Sequence, residues 1–170
     1  MAFHEKEIKD VNLNPFTTYS KDWVLITAKR GNQVNTMTAA WGGFGHVWNH
    51  NVATVYIRPQ RYTKEFVDAG ETFSIAVFPE EYREKLIYFG RTSGRDEDKI
   101  TKAGLTVEYY DGTPYFAEAK QVFIVKKLYA QELKEENFID TSVVDNVYPE
   151  KDFHTLYIGS VQQFFVSDDQ

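Results

Sequence analysis

Cysteine is absent from the 170 residues, which excludes a disulfide framework, a thiolate metal site and thiol redox chemistry. Long apolar runs are absent too. No stretch approaches the roughly 20 residues a bilayer-spanning helix needs, and MAFHEKEIKD has no apolar segment behind its charges, so no secretory signal is expected. These absences suggest a soluble, cytoplasmic chain with no membrane partner. There is no G-x-G-x-x-G, no G-x-x-x-x-G-K-[ST] and no G-x-S-x-G, so a dinucleotide fold, an NTPase loop and a serine hydrolase elbow all lack support. His46 and His50 stand four apart without the intervening Glu of a zincin, and no metal site is expected. Lys and Arg number 19 against 25 Asp and Glu, a formal charge of −6 that disfavours nucleic acid as the main partner.

One local absence matters more. From Trp23 to Lys64 there is no Asp or Glu, while Lys29, Arg30, Arg58, Arg61 and Lys64 supply five cations, leaving −11 for the rest of the chain. All three tryptophans, Trp23, Trp41 and Trp48, fall in the same stretch. A cationic, aromatic-rich island suits a planar anionic ligand, because its field concentrates the anion and its rings line a pocket. Buried strands would also shed acidic residues, and charge alone leaves both readings standing.

Runs rich in β-branched and aromatic residues predict strands over Trp23–Ala28, Gln33–Ala40, Val52–Arg58, Thr72–Phe78, Gln121–Gln131 and Leu156–Val166. Asp111-Gly112 marks a hairpin, and Lys29-Arg30-Gly31-Asn32 a tight turn. Helices are expected over Lys64–Ala69 with Thr63 as cap and Gly70 as stop, over Glu80–Phe89 behind Pro79, and from the capping pattern Ser93-x-x-Asp96 to Gly104. Strands outnumber helices and enclose them in the sequence, so the expected fold class is mainly β, a barrel with peripheral helices, formed as a single domain over residues 1–170.

Three runs carry chemistry. In Asn35-Thr36-Met37-Thr38-Ala39-Ala40-Trp41-Gly42-Gly43 a strand gives way to small residues, which lets backbone approach a flat ring; an ordinary strand end with a Gly-Gly turn is the plainer alternative. Arg58-Pro59-Gln60-Arg61-Tyr62-Thr63 gathers two guanidinium forks, a hydroxyl and a helix start, the equipment of a phosphate site. Ser93-Gly94-Arg95-Asp96, with Lys99 one turn on, repeats that equipment and reads as the other half of a clamp. His154, just before the last strand, is a candidate proton or hydrogen-bond donor, or simply a satisfied histidine.

Together, and in this order, these runs resemble the flavin reductase-like, FMN-binding split-barrel family, in particular its flavoredoxin branch. The resemblance extends from about Trp23 to Leu105, with Phe153–Gly159 similar to the family's closing strand. It implies a split-barrel homodimer that binds FMN near the subunit interface. Asn35, Thr36, Met37, Thr38, Ala39, Ala40 and Trp41 would follow the isoalloxazine ring through backbone groups. Arg58, Gln60, Arg61, Tyr62 and Thr63, with Ser93, Gly94, Arg95 and Lys99, would hold the phosphate and ribityl chain. Many relatives have Ser at the position of Ala40, a hydroxyl lost here without loss of the backbone contacts. The implied activity is oxidoreduction, with hydride from NAD(P)H passing to FMN and electrons on to a free flavin, a metal complex or a protein. A non-enzymatic FMN electron carrier, or a barrel binding another phosphorylated aromatic ligand, are the alternatives.

Overall fold

Alternating apolar residues become strands because each face of a sheet must meet its own layer. In the computed structural model, which describes residues 2–168, β1 (Phe3–Lys6), β2 (Val24–Arg30), β3 (Gln33–Ala39), β4 (Gly42–Val47), β5 (His50–Ile57), β6 (Thr72–Val77), β9 (Gln121–Glu132) and β10 (Thr155–Ser167) form one sheet. Its order is β3-β2-β6-β9-β10-β5-β4, every pairing antiparallel, with β1 added to β10. β7 (Val107–Tyr110) and β8 (Thr113–Phe116) make a separate hairpin across the expected Asp111-Gly112 turn, where both residues have positive φ as a type I′ turn requires.

The sheet curls around one core. Met37 and Ala39 at one end of the strand order meet the same buried cluster as Ala53, Val55 and Ile57 near the other, together with Ile26, Phe73, Ile75, Phe123 and Phe164. Burying each such side chain contributes roughly 1.5–3 kcal/mol. On the outer face, Leu25, Ala76, Val122 and Ile124 pack under α3 (Arg83–Arg91), α4 (Lys99–Ala103) and the β7–β8 hairpin through Leu86, Phe89, Ile100 and Phe116. The central strands are therefore covered on both sides. That is why Thr72–Val77 and Gln121–Val125 read as nearly continuous apolar runs rather than as alternation.

The helical expectations need adjustment at their edges. Pro79 precedes a 3₁₀ turn over Glu80–Tyr82 and then α3, whose Leu86 and Phe89 are buried as the spacing implied. α2 (Tyr62–Ala69) starts two residues earlier than expected, with Arg61 at its N-cap; Thr63 lies inside the helix with its hydroxyl engaged by Asn35. The capping pattern at Ser93 does not open a helix. Ser93 instead accepts from the Arg95 N–H two residues on, and α4 begins at Lys99 behind Asp98, whose carboxylate accepts from Thr101 N at 3.1 Å. Asp98 is the stronger cap because a carboxylate meets the positive end of the helix.

β4 was hidden in sequence by its glycines. Gly42 and Gly43 belong to an edge strand, not a turn, and pair with Val55 and Thr54. The chain before β2 explains Gly42: α1 (Pro15–Thr17) runs into a π turn over Thr18–Asp22 that seats Tyr19 against β4. A Cβ on Gly42 would stand 2.5 Å from the Tyr19 ring. Among the described residues no helix is long and apolar enough to cross a membrane.

Candidate flavin site

β3 is the last strand in the sheet order, so its outer edge offers backbone N–H and C=O groups to whatever lies beside it. What lies there is α3, α2 and the loop from Thr92 to Asp98. A cavity of about 220 Å³ opens along this edge, lined by Met37, Thr38, Ala39, Ala40, Trp41, Tyr56, Arg58, Arg61 and His154. Five consecutive residues, the end of β3 and the two that follow it, can line a cavity only if the chain presents its edge, the arrangement that suits a flat heterocycle.

The cations sort into two kinds. Arg58 is spoken for: it donates to Asp152 at 2.5 Å and to Val147 O at 3.0 Å, and lies over the Tyr148 ring. Gln60 binds the same Asp152 oxygen, so that carboxylate is held well below its usual range, first by Gln60 and then by Arg58. Arg95 is spoken for as well. It pairs with Glu65, which also takes Arg30 at 2.6 Å, it donates to Gln60 O, and its guanidinium lies 4.6 Å from the centre of the Tyr62 ring.

Arg61 and Lys99 have no such partner. Among the described residues neither is within ion-pair distance of a carboxylate. Arg61 donates to Gly90 O at 3.1 Å and Thr38 O at 3.5 Å; Lys99 donates to Phe89 O at 3.1 Å and Thr92 O at 2.8 Å. Three of these carbonyls close the C-terminus of α3, a negative pole of about half a charge. Two full cations meet it, so a surplus of positive charge remains. Lys99 is only 3 % exposed, and burial, then the nearby Arg61, lowers its pKa to about 8. Burial likewise weakens proton binding by Arg61.

The 93–98 loop is pressed against β3. A Cβ on Gly94 would fall 2.2 Å from Asn35 Oδ1, and that Asn35 donates to Thr63 Oγ1 at 2.9 Å. Only glycine permits the approach. Thr36 faces the other way, its hydroxyl bonded to Thr27 and Ile26 O inside the barrel wall. Asn35, Tyr62 and Gly94 thus line a neighbouring space rather than the cavity beside Trp41. Ser93 is spent on its local turn.

His154 is 7 % exposed, packed at a tilt against Trp41 with 4.7 Å between centroids and bonded through Nδ1 to the Tyr148 hydroxyl at 2.7 Å. Burial, then the Arg58 charge, pushes its pKa down to about 4, so the imidazole is neutral near pH 7. The unfolded chain binds this proton first as pH falls. Stability tied to His154 is therefore complete above the ordinary 6.5 and is lost as pH drops toward 4. Thermal unfolding at pH 7 and pH 5 checks this: His154→Phe is expected to lose less stability across that interval than the parent, and equal losses would refute the assignment.

Tyr56, Tyr148, Asp152 and Glu65 were not expected from sequence. Tyr56 alone carried a signal, as an outward residue of the β5 alternation; the others lie far along the chain from the groups they touch.

A single cofactor would fit these features. The cavity is edged by the backbone of residues 37–41 and walled by Trp41 and His154; the partly buried Arg61 lines it and the buried Lys99 stands near Arg61, neither within ion-pair distance of an acid among the described residues, which suits an aromatic ring that carries a phosphate. The comparisons agree on the class. Residues 16–170 match the flavin reductase like domain family, and the chain belongs to it. Among solved structures, the FMN-binding domain of a flavin reductases-like enzyme from Shewanella baltica superposes with a TM-score of 0.70 at 18 % identity, covering 97 % of this chain and 77 % of that one. The flavoredoxin of Desulfovibrio vulgaris superposes at 0.67 with 22 % identity, covering 97 % and 78 %. The fold is the split barrel of these flavin reductase-like proteins. In sequence, the high molecular weight rubredoxin of Moorella thermoacetica is 34 % identical over 106 residues, 61 % of this chain. The match spans 45 % of that relative's length.

Proposed function

We propose that this chain binds FMN and works as an NAD(P)H-dependent flavin oxidoreductase. The observation that carries the reading is the Arg61–Lys99 pair: a partly buried guanidinium and a buried ammonium, neither within ion-pair distance of a carboxylate among the described residues, with Arg61 lining the cavity at the edge of β3. Burying a charge without a counter-charge is costly, and a phosphate would remove that cost. Arg61 and Lys99 would hold the phosphate, while the backbone of Met37–Trp41 follows the ring. Arg58 and Arg95, neutralised by Asp152 and Glu65, would shape the walls more than bind the anion.

Bound FMN supplies the redox chemistry, taking electrons from a reduced nicotinamide and releasing them to an acceptor. The protein's part is orientation and charge. His154 would act as a neutral wall and hydrogen-bonding group, not as an acid. The names of two relatives, a flavoredoxin and a high molecular weight rubredoxin, favour a protein acceptor over a free flavin or a metal complex.

We expect the purified protein to take up added FMN and turn yellow, and anaerobic NADH or NADPH to bleach it. Failure to bind FMN would overturn the flavin reading. A yellow form that neither nicotinamide reduces would instead mark an electron carrier. The exposed Trp48, packed 6.0 Å from Tyr129, supports the expected homodimer by offering an apolar patch at the β4–β5 turn. A monomeric mass by light scattering would refute that pairing.

A further inference from the structure

A separate cavity of about 440 Å³ opens at the start of α3, at the far end of that helix from the carbonyls that hold Arg61 and Lys99. It shares no lining residue with the cavity beside Trp41. The buried Phe78 and Leu86, with Pro79, give it an apolar floor. Around that floor stand charges of both signs, Lys21 and Arg83 against Asp22 and Glu80. Among the described residues neither cation is within ion-pair distance of either acid. Opposite charges that share one wall without meeting suit a ligand that carries both charges itself.

Arg83 is the fixed point of this wall. It is the first residue of α3, the end at which a helix favours anions over cations. Neutral groups hold it there: it donates to Lys21 O and to Asp22 O, the latter at 3.1 Å, and lies 3.5 Å from the centre of the Trp23 ring. Both hydrogen bonds use the same terminal nitrogen, so the other is not spent on them. A guanidinium fork matches a carboxylate in shape as well as charge. Trp23 itself stands at φ 64°, a region that favours glycine, fixed between its N–H bond to Thr18 O at 2.7 Å and the Arg83 stack. The wall is therefore set before any ligand arrives. Its volume is within the roughly 300–1,000 Å³ of small-molecule pockets.

We propose that this cavity is an effector site for an α-amino acid with a large apolar side chain. Its carboxylate would meet Arg83 and Lys21, its ammonium Asp22 and Glu80, and its side chain the floor of Phe78, Pro79 and Leu86. Leu86 links the site to the flavin cavity: it lines the one, and its carbonyl accepts from the hydroxyl of Thr38, which lines the other. One turn further along the same helix, Phe89 O and Gly90 O take Lys99 and Arg61. A ligand that holds the start of α3 in place also holds these carbonyls in place. Binding of the amino acid is independent of the flavin reading; its effect on FMN rests on that reading.

Isothermal titration of the flavin-free protein with L-leucine and L-phenylalanine tests the site. Saturable binding of at least one is expected. The matching acids without the ammonium, 4-methylpentanoate and 3-phenylpropionate, should bind at least about tenfold more weakly, and so should the matching amines, the scale of one charged hydrogen bond. Arg83→Gln and Glu80→Gln should each weaken amino-acid binding about tenfold or more. Glu80 is exposed, so its variant probes the ligand without disturbing the Trp23 stack. No saturable binding of either amino acid, equal binding of the acids or amines, or full affinity in Glu80→Gln would each overturn the site. With the amino acid saturating, FMN is expected to bind about fivefold tighter or better, and FMN should tighten the amino acid by the same factor. An FMN affinity that does not move would overturn the effector role. A protein that binds the amino acid but no FMN at all would instead overturn the flavin reading.

Discussion

Arg61→Ala is expected to weaken FMN binding by roughly 1.5–3 kcal/mol, about 10- to 150-fold, while changing the stability of the flavin-free protein by about 1 kcal/mol or less. The asymmetry follows from what Arg61 touches. Its guanidinium donates to two backbone carbonyls, Gly90 O and Thr38 O, and meets no acid. Removing it strands those carbonyls, which costs stability, but also removes a partly buried charge, which restores some. The two effects oppose each other in the free protein. In the complex they do not, because the phosphate would lose a charged donor. Isothermal titration and chemical denaturation on the same variant separate the cases. If stability and affinity fall together, Arg61 is a fastener for α3 and the phosphate lies elsewhere. Arg61→Lys should recover part of the affinity by restoring charge without the fork.

Lys99 gives the second large effect, and it is a dependence on pH. With its pKa lowered to about 8, the side chain loses its proton over a range where an ordinary lysine stays charged. A flavin phosphate would bind the protonated form, while its own second proton, pKa about 6, is already gone. Above pH 8 the free protein must regain a proton in order to bind, so the FMN dissociation constant should rise by up to about tenfold per pH unit, the limit for one linked proton. Binding measured between pH 7.5 and 9.5 should show this rise in the parent. Lys99→Arg should flatten the curve at high affinity, and Lys99→Met should flatten it at low affinity. A flat curve for the parent would mean that Lys99 faces no anion. Below pH 8 all three should be insensitive to this group.

Both predictions depend on distinctions that sequence could not supply. The island from Trp23 to Lys64 correctly drew attention to Arg58 and Arg61, but it placed them on equal terms. Asp152, which neutralises Arg58, lies 94 positions away in sequence, and Glu65, which neutralises Arg95, lies 30 away. Nothing local announces either partner. Lys99 lies outside the island and is reached only through the Ser93 run, which does not open the expected helix. The sheet was far more legible. β2, β3, β5, β6, β9 and β10 all follow from runs rich in β-branched and aromatic residues bounded by turn residues, nearly continuous where both faces are covered, as in β6 and the first half of β9. β4 escaped because glycine stands at positions 42, 43 and 45 of a six-residue strand, and at Gly42 the Tyr19 ring occupies the volume a side chain would otherwise fill. The short helices escaped to a lesser degree, since a five-residue helix is set by its cap and its neighbours more than by its own propensity.

The last strand also governs the order of assembly. Along one side β10 pairs with β9 over most of its length; along the other it pairs first with β5, Tyr157 opposite Val55, and then with β1, Phe164 opposite Lys6. Among the described residues no other strand joins the group β3-β2-β6-β9 to the group β5-β4. A chain emerging from the ribosome can build each group early, yet it cannot link them until the residues from Thr155 onward are free, and the contacts then made span about a hundred residues. Until that moment β9 and β5 each keep an open edge. The interval between making the two half-sheets and stitching them together is when this protein is most exposed to pairing with the wrong neighbour.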